Sequence, residues 1–436
     1  MGLGGGTWLT QNKILPGAYI IFVSAARANA TLSDRGIATV PIEADWGPVG
    51  EVVEVTTRDF QRNSKRLFGY DFTHPKLKGL RDLFQNVRLV YTYRLGGADG
   101  IKATDPNGLA EAMFEGERGN LIHLRVVSNI DEPGLWDVST YFDNNLVETQ
   151  TVALASELEP NGFVNWRDVP LTAMAISQLQ GGVNPTISNA NYQAYLDAVE
   201  SYSFNAIGCL SSDNGVKMLF AAFTKRMREE HGVKFQCVVY DHAADHEGIV
   251  NVKNKSVDAN EYSLVWWTTG IVAGTAVNRS ATNRVYSGEF TVDTNFTQPE
   301  YERAIQNGFF AFYRVNSSEV RVLRDINSLV NLTADKGEDF QQNQTIRVID
   351  QIANDIALLF NTRYLGIIPN DEDGRISLWS DIVQHHNQLQ TIRAIENFSP
   401  DDVIVEEGDT KRAVLVTDAI TPVNAMEKLY MTVSVA

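Results

Sequence analysis

The stretch IGCLSSDNGVKMLFAAFTKRMREEHGVKFQCVVY, residues 207–240, holds a short apolar strand around Ile207, a helix from Val216 to Glu230 and a strand from Val233 to Tyr240. Strands that are apolar throughout, joined by a helix, belong to an α/β fold whose sheet is covered on both faces. The rhythm extends both ways. A helix is expected from Tyr192 to about Ser203, and an apolar helix from Leu264 to Val277. The latter opens on Trp266-Trp267, where core packing is the default, and its Gly270, Ala273, Gly274 and Ala276 permit close approach of a neighbouring element. Nearer the start, apolar runs Ile37–Ile42 and Val49–Val55 are split by Asp45-Trp46-Gly47-Pro48. Helices Asp59–Phe68 and Lys76–Phe84 and a strand Val87–Tyr93 follow, the second helix placing Leu77, Leu80, Leu83 and Phe84 on one face.

From Gly96 the texture changes to frequent glycines and short alternating runs, Leu121–Val127, Trp136–Phe142 and Leu146–Ala153, up to Gly181-Gly182. This reads as a separate antiparallel β module inserted into the α/β domain. Beyond Thr333 stand two long helices. One carries Ile349, Ile352, Ile356 and Leu359 at helical spacing, and the other, Arg375–Asn397, carries Ile382, Leu389 and Ile392. Val403–Glu406 and Ala413–Thr417 flank Glu407-Gly408-Asp409 as a hairpin, and a terminal strand is expected to complete a small sheet. That strand alternates Leu429, Met431, Val433 and Val435 with Tyr430, Thr432 and Ser434, and carries no charge or proline after Lys428. Uncovered strands of this kind add to other chains. The opposite end is its mirror, a glycine-rich leader and Pro16-Gly17 before Tyr19-Ile20-Ile21-Phe22-Val23. Either both ends pair inside their own domain, or they add to neighbouring copies, and heterologous contacts that do not close build filaments.

A chain of 436 residues is expected to hold two to four domains. Its net charge of −17 is spread along the chain, which argues against a nucleic-acid backbone as main partner. The Lys225-Arg226-Arg228 cluster reads as a solvated helix face. No stretch approaches a membrane span and no signal peptide is evident, so cytosolic folding and no membrane insertion are expected. The two cysteines, Cys209 and Cys237, lie in apolar strand-like runs and read as buried thiols.

Enzyme chemistry has few footholds. Asp241-His242-Ala243-Ala244-Asp245-His246-Glu247 follows a strand's carboxyl end, and its two histidines could share a metal, but it lacks the H-E-x-x-H pattern and an evident third ligand. The alternative is a polar surface loop. Asp213, His242 and Ser280 can be picked out as a hydrolase set, yet no serine sits in a G-x-S-x-G elbow. Gly4-Gly5-Gly6 precedes any strand, so it is no phosphate loop. His385-His386 lies within a helix, one side chain expected toward the apolar stripe and the other outward. No metal, cofactor or catalytic residue is assigned.

Several segments carry a likeness of their own: Leu15-Pro-Gly-Ala-Tyr-Ile, Leu32-Ser-Asp-Arg-Gly-Ile, Leu67-Phe-Gly-Tyr-Asp, Lys78-Gly-Leu-Arg-Asp-Leu-Phe, Glu200-Ser-Tyr-Ser-Phe-Asn and Phe223-Thr-Lys-Arg-Met-Arg. Trp267-Thr-Thr-Gly, Asn343-Gln-Thr-Ile-Arg-Val, Ala394-Ile-Glu-Asn-Phe, Thr421-Pro-Val-Asn-Ala-Met and Lys428-Leu-Tyr-Met-Thr-Val continue it. Together they resemble contractile phage tail sheath proteins, of the compact kind found in defective prophages and R-type bacteriocins. The resemblance implies an α/β core with a subtilisin-like fold and no catalytic triad, an inserted β domain, an α+β C-terminal domain, and extended arms. On this sequence it places an N-terminal arm at 1–24, the core at 25–96 and 183–333, and a β-sandwich or barrel-like insert at 97–182. The tube-facing domain falls at 334–424 and the C-terminal arm at 425–436. It further implies that the subunit stacks with itself as hexameric rings in a helical sheath around an inner tail tube protein. Baseplate and tail terminator proteins would lie at the ends, without nucleic acid, and assembly would occur in the bacterial host cytoplasm. Ile20 and Phe22 in the first arm, and Leu429, Met431, Val433 and Val435 in the second, would add strands to neighbours. Rival readings are a non-contractile shell or tail protein, and a hydrolase or metal enzyme using Asp241–Glu247.

Overall fold

The computed structural model describes residues 32–316 and 319–435. The expected N-terminal arm, with Ile20 and Phe22, lies outside the described residues. Three strands come first, β1 (Ile37–Ile42), β2 (Val52–Thr56) and β3 (Leu89–Arg94), with helices α1 (Thr57–Phe68) and α2 (Lys78–Phe84) between the last two. Thr56 starts α1 by accepting the Asp59 amide on its Oγ1 at 3.1 Å, and Gly69 ends it at φ 77°. Seven short strands follow: β4 (Lys102–Thr104), β5 (Ala110–Glu115), β6 (Ile122–Ser128), β7 (Trp136–Phe142), β8 (Asn145–Val152), β9 (Val164–Trp166) and β10 (Met174–Gln178). The α/β alternation then resumes with α3 (Asn189–Val199), β11 (Ala206–Gly208), α4 (Asn214–Glu229), β12 (Gln236–Tyr240) and β13 (Ile249–Val252). Helices α5 (Leu264–Gly274) and α6 (Gln298–Gln306) and strand β14 (Phe309–Phe310) complete it.

Strands from both sides of the β4–β10 stretch share one seven-stranded sheet, ordered β14-β13-β12-β11-β1-β3-β2. Only β2 runs antiparallel to its neighbour. β11 pairs directly with β1, Ala38 opposite Ala206, so the all-β stretch is an insertion hung from an otherwise continuous α/β layer. Alternate residues serve the two faces. Ala38, Val40, Ala206, Val238 and Val250 join the core with α2 and α5, while Ile207, Cys237, Val239 and Ile249 join that with α3 and α4. Both cysteines are buried and unpaired there, and burial pushes the Cys237 thiol up to about 12. Helix α5 lies against α2 because its glycines allow it: a Cβ on Gly270 would stand 2.8 Å from the Leu83 carbonyl oxygen.

The insertion has two small antiparallel sheets, β10-β6-β7-β8 and β4-β5-β9, packed over one apolar core. That core is completed from outside. Trp46, on the connection between β1 and β2, is wholly buried in it against Phe114, Phe142 and Phe163 at ring separations of 5.3, 5.3 and 6.1 Å.

A short hairpin, β15 (Phe312–Arg314) and β16 (Val320–Val322), leads to the long helices α7 (Asn343–Leu359) and α8 (Glu372–Thr391). Then come β17 (Ile395–Glu396), β18 (Val403–Glu407), β19 (Val414–Asp418) and β20 (Thr421–Pro422). β18 and β19 form the expected hairpin, Val405 opposite Val416. Among the described residues the expected terminal strand has no ladder partner: residues 423–435 take no regular structure and complete no small sheet. A strand exists by pairing, and the described residues offer none there.

Two further expectations fail because elements distant in sequence pack over polar side chains. Arg228 is not on a solvated face but buried against Asp350. His385 and His386 are both buried rather than one outward, because Asp355 of α7 and Asp418 of β19 each take one Nε2, at 2.9 and 2.8 Å. Helix α6 and strand β13 were not foreseen. The Thr297-Gln298-Pro299-Glu300 capping box could have revealed α6, since Glu300 accepts the Thr297 amide at 2.7 Å.

Candidate assembly surfaces

The Asp241–Glu247 loop is used structurally. Asp245 accepts the amides of Val330 and Asn331, at 2.7 and 3.0 Å. Both ring nitrogens of His246 are engaged, Nε2 with Glu229 at 3.1 Å and Nδ1 as acceptor for the Gly248 amide at 2.9 Å. Burial and the nearby Lys217 and Lys225 depress the basicity of His242, and Glu247 instead receives Lys336 Nζ at 3.0 Å. The loop thus ties β12 to the segment before α7. Among the described residues no group of three or more His, Cys, Asp or Glu side chains is placed to hold a metal. Asp213, His242 and Ser280 are not brought together as a triad: Asp213 caps α4 through the Val216 amide at 2.9 Å, and Ser280 donates to Thr282 at 3.1 Å.

What the structure concentrates instead is a buried polar seam and two exposed apolar features. In the seam, Arg228 of α4 makes a two-pronged pair with Asp350 of α7, at 2.7 and 2.8 Å. Arg347 reaches Asp325 at 2.6 Å, Gln236 of β12 donates to Asn343 at 2.8 Å, and Asn354 bonds the backbone of Lys234 in both directions. These buried ion pairs and hydrogen bonds join the α7–α8 unit to the α/β layer. Periodicity singled out Ile349, Ile352, Ile356 and Leu359 on α7. Leu359 is buried, and Ile352 and Ile356 are partly buried, against α8. The residues that join α7 to the sheet are polar, which an apolar-stripe search passes over.

The first exposed feature is the C-terminal segment. Leu429, Met431, Val433 and Val435 are 84%, 74%, 69% and 93% exposed. The second is the β18–β19 hairpin. It is a two-stranded sheet, so each strand is paired along one side only, and it shows solvent Ile404, Leu415 and Val416.

Known proteins are similar to this chain in sequence and fold. Family models match three segments: the tail sheath protein Gp18 domain III N-terminal region over residues 35–95, the phage tail sheath protein central domain over 186–328, and the phage tail sheath C-terminal domain over 335–436. The phage-like element PBSX protein XkdK of Bacillus subtilis is 31% identical, with 99% of this chain and 100% of that protein aligned. The crystal structure of a sheath tail protein from Desulfitobacterium hafniense superposes with a TM-score of 0.81 at 33% identity, covering 95% of this chain and 99% of that one. The helical sheath of the anti-feeding prophage, solved in its contracted state, shares the fold at 12% identity, with a TM-score of 0.58 over 96% of this chain and 98% of that one. This chain belongs to the phage tail sheath family and is a sheath subunit of a contractile tail.

Proposed function

We propose that the subunit is joined to further copies of itself by strand addition, its C-terminal arm extending a neighbour's C-terminal hairpin. One observation carries this: four alternating apolar side chains stand exposed on a segment without a ladder partner among the described residues, while the same chain offers a two-stranded sheet with open edges. Leu429, Met431, Val433 and Val435 are the contact residues of that arm, and Ile20 and Phe22 those of the N-terminal arm. The copies stack as hexameric rings around an inner tail tube, between baseplate and terminator, assembled in the host cytoplasm. The core, 25–96 and 183–333, is subtilisin-like in fold and catalyses nothing. The insert at 97–182 faces outward, 334–424 faces the tube, and 1–24 and 425–436 are the arms. The extended sheath is a kinetic trap, and contraction is rotation of near-rigid subunits into a lattice that buries more surface. The seam around Arg228 and Asp350 supports rigidity, because it couples the C-terminal helices to the sheet.

Burying each apolar arm residue contributes roughly 2 kcal/mol. The pair Leu429→Asp and Val433→Asp removes two such contributions, about 4 kcal/mol, and so raises the concentration needed for assembly about a thousandfold. Sedimentation of tubes across a concentration series measures it. An unchanged onset would refute the assignment of these residues.

A further inference from the structure

The C-terminal arm is gripped at its root and exposed beyond it. Past β20 the Val423 amide donates to the Ala394 carbonyl at 3.0 Å. Gln344, buried in the first turn of α7, then holds the backbone on both sides of Asn424. Its Nε2 donates to the Val423 carbonyl at 2.9 Å, and its Oε1 accepts the Ala425 amide at 3.0 Å. An adjacent strand would offer the same pair of bonds, and here a side chain supplies them. Thr345 Oγ1 reaches Asn424 Oδ1 at 3.2 Å. Two residues on, the Glu427 carboxylate receives Arg324 Nε at 2.7 Å and Thr282 Oγ1 at 2.9 Å. Every residue from Asn424 to Val435 is exposed, but beyond Glu427 no such side-chain contact holds the backbone among the described residues.

We infer that Gln344 and the Arg324–Thr282 pair form a clasp that fixes the direction in which the C-terminal arm leaves the subunit, with the pivot between Glu427 and Lys428. The inference rests on the strand-addition reading. Its physical content is twofold. The residues Val423–Glu427 are ordered before a neighbour arrives, so assembly orders only the remainder and costs less conformational entropy. The eight residues from Lys428 to Val435 span at most about 29 Å when fully extended, so the apolar contacts they carry meet an acceptor within that radius of the pivot. Arg324, Thr282, Gln344 and Glu427 are thus positioning residues, acting through the arm and not on the neighbour.

Trypsin tests this, because it cleaves after Lys428 only when the chain on both sides fits the protease, and release of the peptide that follows reports opening of the root. On unassembled subunits, Arg324→Ala and Glu427→Ala are each expected to speed release about five- to tenfold, as loss of a charge-assisted hydrogen bond predicts. The double variant should be no faster than Glu427→Ala alone, since that change already removes the Arg324 and Thr282 contacts together. Melting temperatures should be unchanged, which separates loosening of the arm from loss of fold. In assembly, the same variants should raise the onset concentration of tubes. Release within about twofold of the parent, or effects that multiply in the double variant, would overturn the clasp. Deleting 428–436 distinguishes the two readings. If that deletion leaves tubes intact, strand addition fails. If it abolishes tubes while fast-releasing clasp variants assemble at the parent concentration, the clasp alone fails.

Discussion

Trp46→Ala is expected to cost about 3–5 kcal/mol, the range for removing a fully buried large aromatic, and to loosen the inserted β module selectively. The indole touches three phenylalanines of the insert, while its Nε1 donates to the Arg66 carbonyl at 2.9 Å on α1. It therefore belongs to both bodies. Gly69 lets it in: a Cβ there would stand 2.7 Å from the Trp46 Cβ. Arg118 adds to the same junction, donating to the Gly69 carbonyl at 2.6 Å while lying over Tyr70 and Phe142. Hydrogen exchange is the suited measurement, since two joined bodies need not melt as one. Amides of β4–β10 should exchange faster by the factor that energy implies, with β11–β13 little changed. Trp46→Phe should recover a large part of the loss.

Asp350→Ala is expected to be as damaging for a different reason. It leaves the Arg228 guanidinium buried without its counter-charge, which costs about 3–5 kcal/mol. The seam also predicts a contrast that simple loss of packing does not. Replacing both partners together, Arg228→Met with Asp350→Leu, should be close to neutral, because the pair's attraction mainly offsets its own desolvation. Denaturant titration of the two singles and the double measures this. A double variant as unstable as Asp350→Ala would show that the pair itself is required.

The α/β alternation was legible because β1, β3, β11 and β12 are buried on both faces and so largely apolar, and because α2 and α4 separate them with clear amphipathic spacing. Strand β13 was not, being four residues long and lying directly after a loop rich in charge. The docking of α7 was hidden for a stronger reason. Arg347, Asp350 and Asp355 read as a solvent face in any hydropathy pattern, and only their partners Asp325, Arg228 and His385, distant in sequence, make burial affordable. The histidine pair was misread for the same reason. At the terminus the alternation of Leu429 to Val435 is plain, yet the described residues of the chain hold no ladder for it. Gln344 was hidden as well, since a glutamine standing in for a strand leaves no periodic trace.

The most direct test of the account is negative-stain electron microscopy of the purified protein, full-length and ending at Met426, each with and without purified inner tubes as template. Striated tubes formed by the full chain and absent from the truncated one are the expected result. Tubes of normal appearance from the truncated protein, or dispersed particles from the full chain even with tubes present, would contradict a sheath held together through its C-terminal arm.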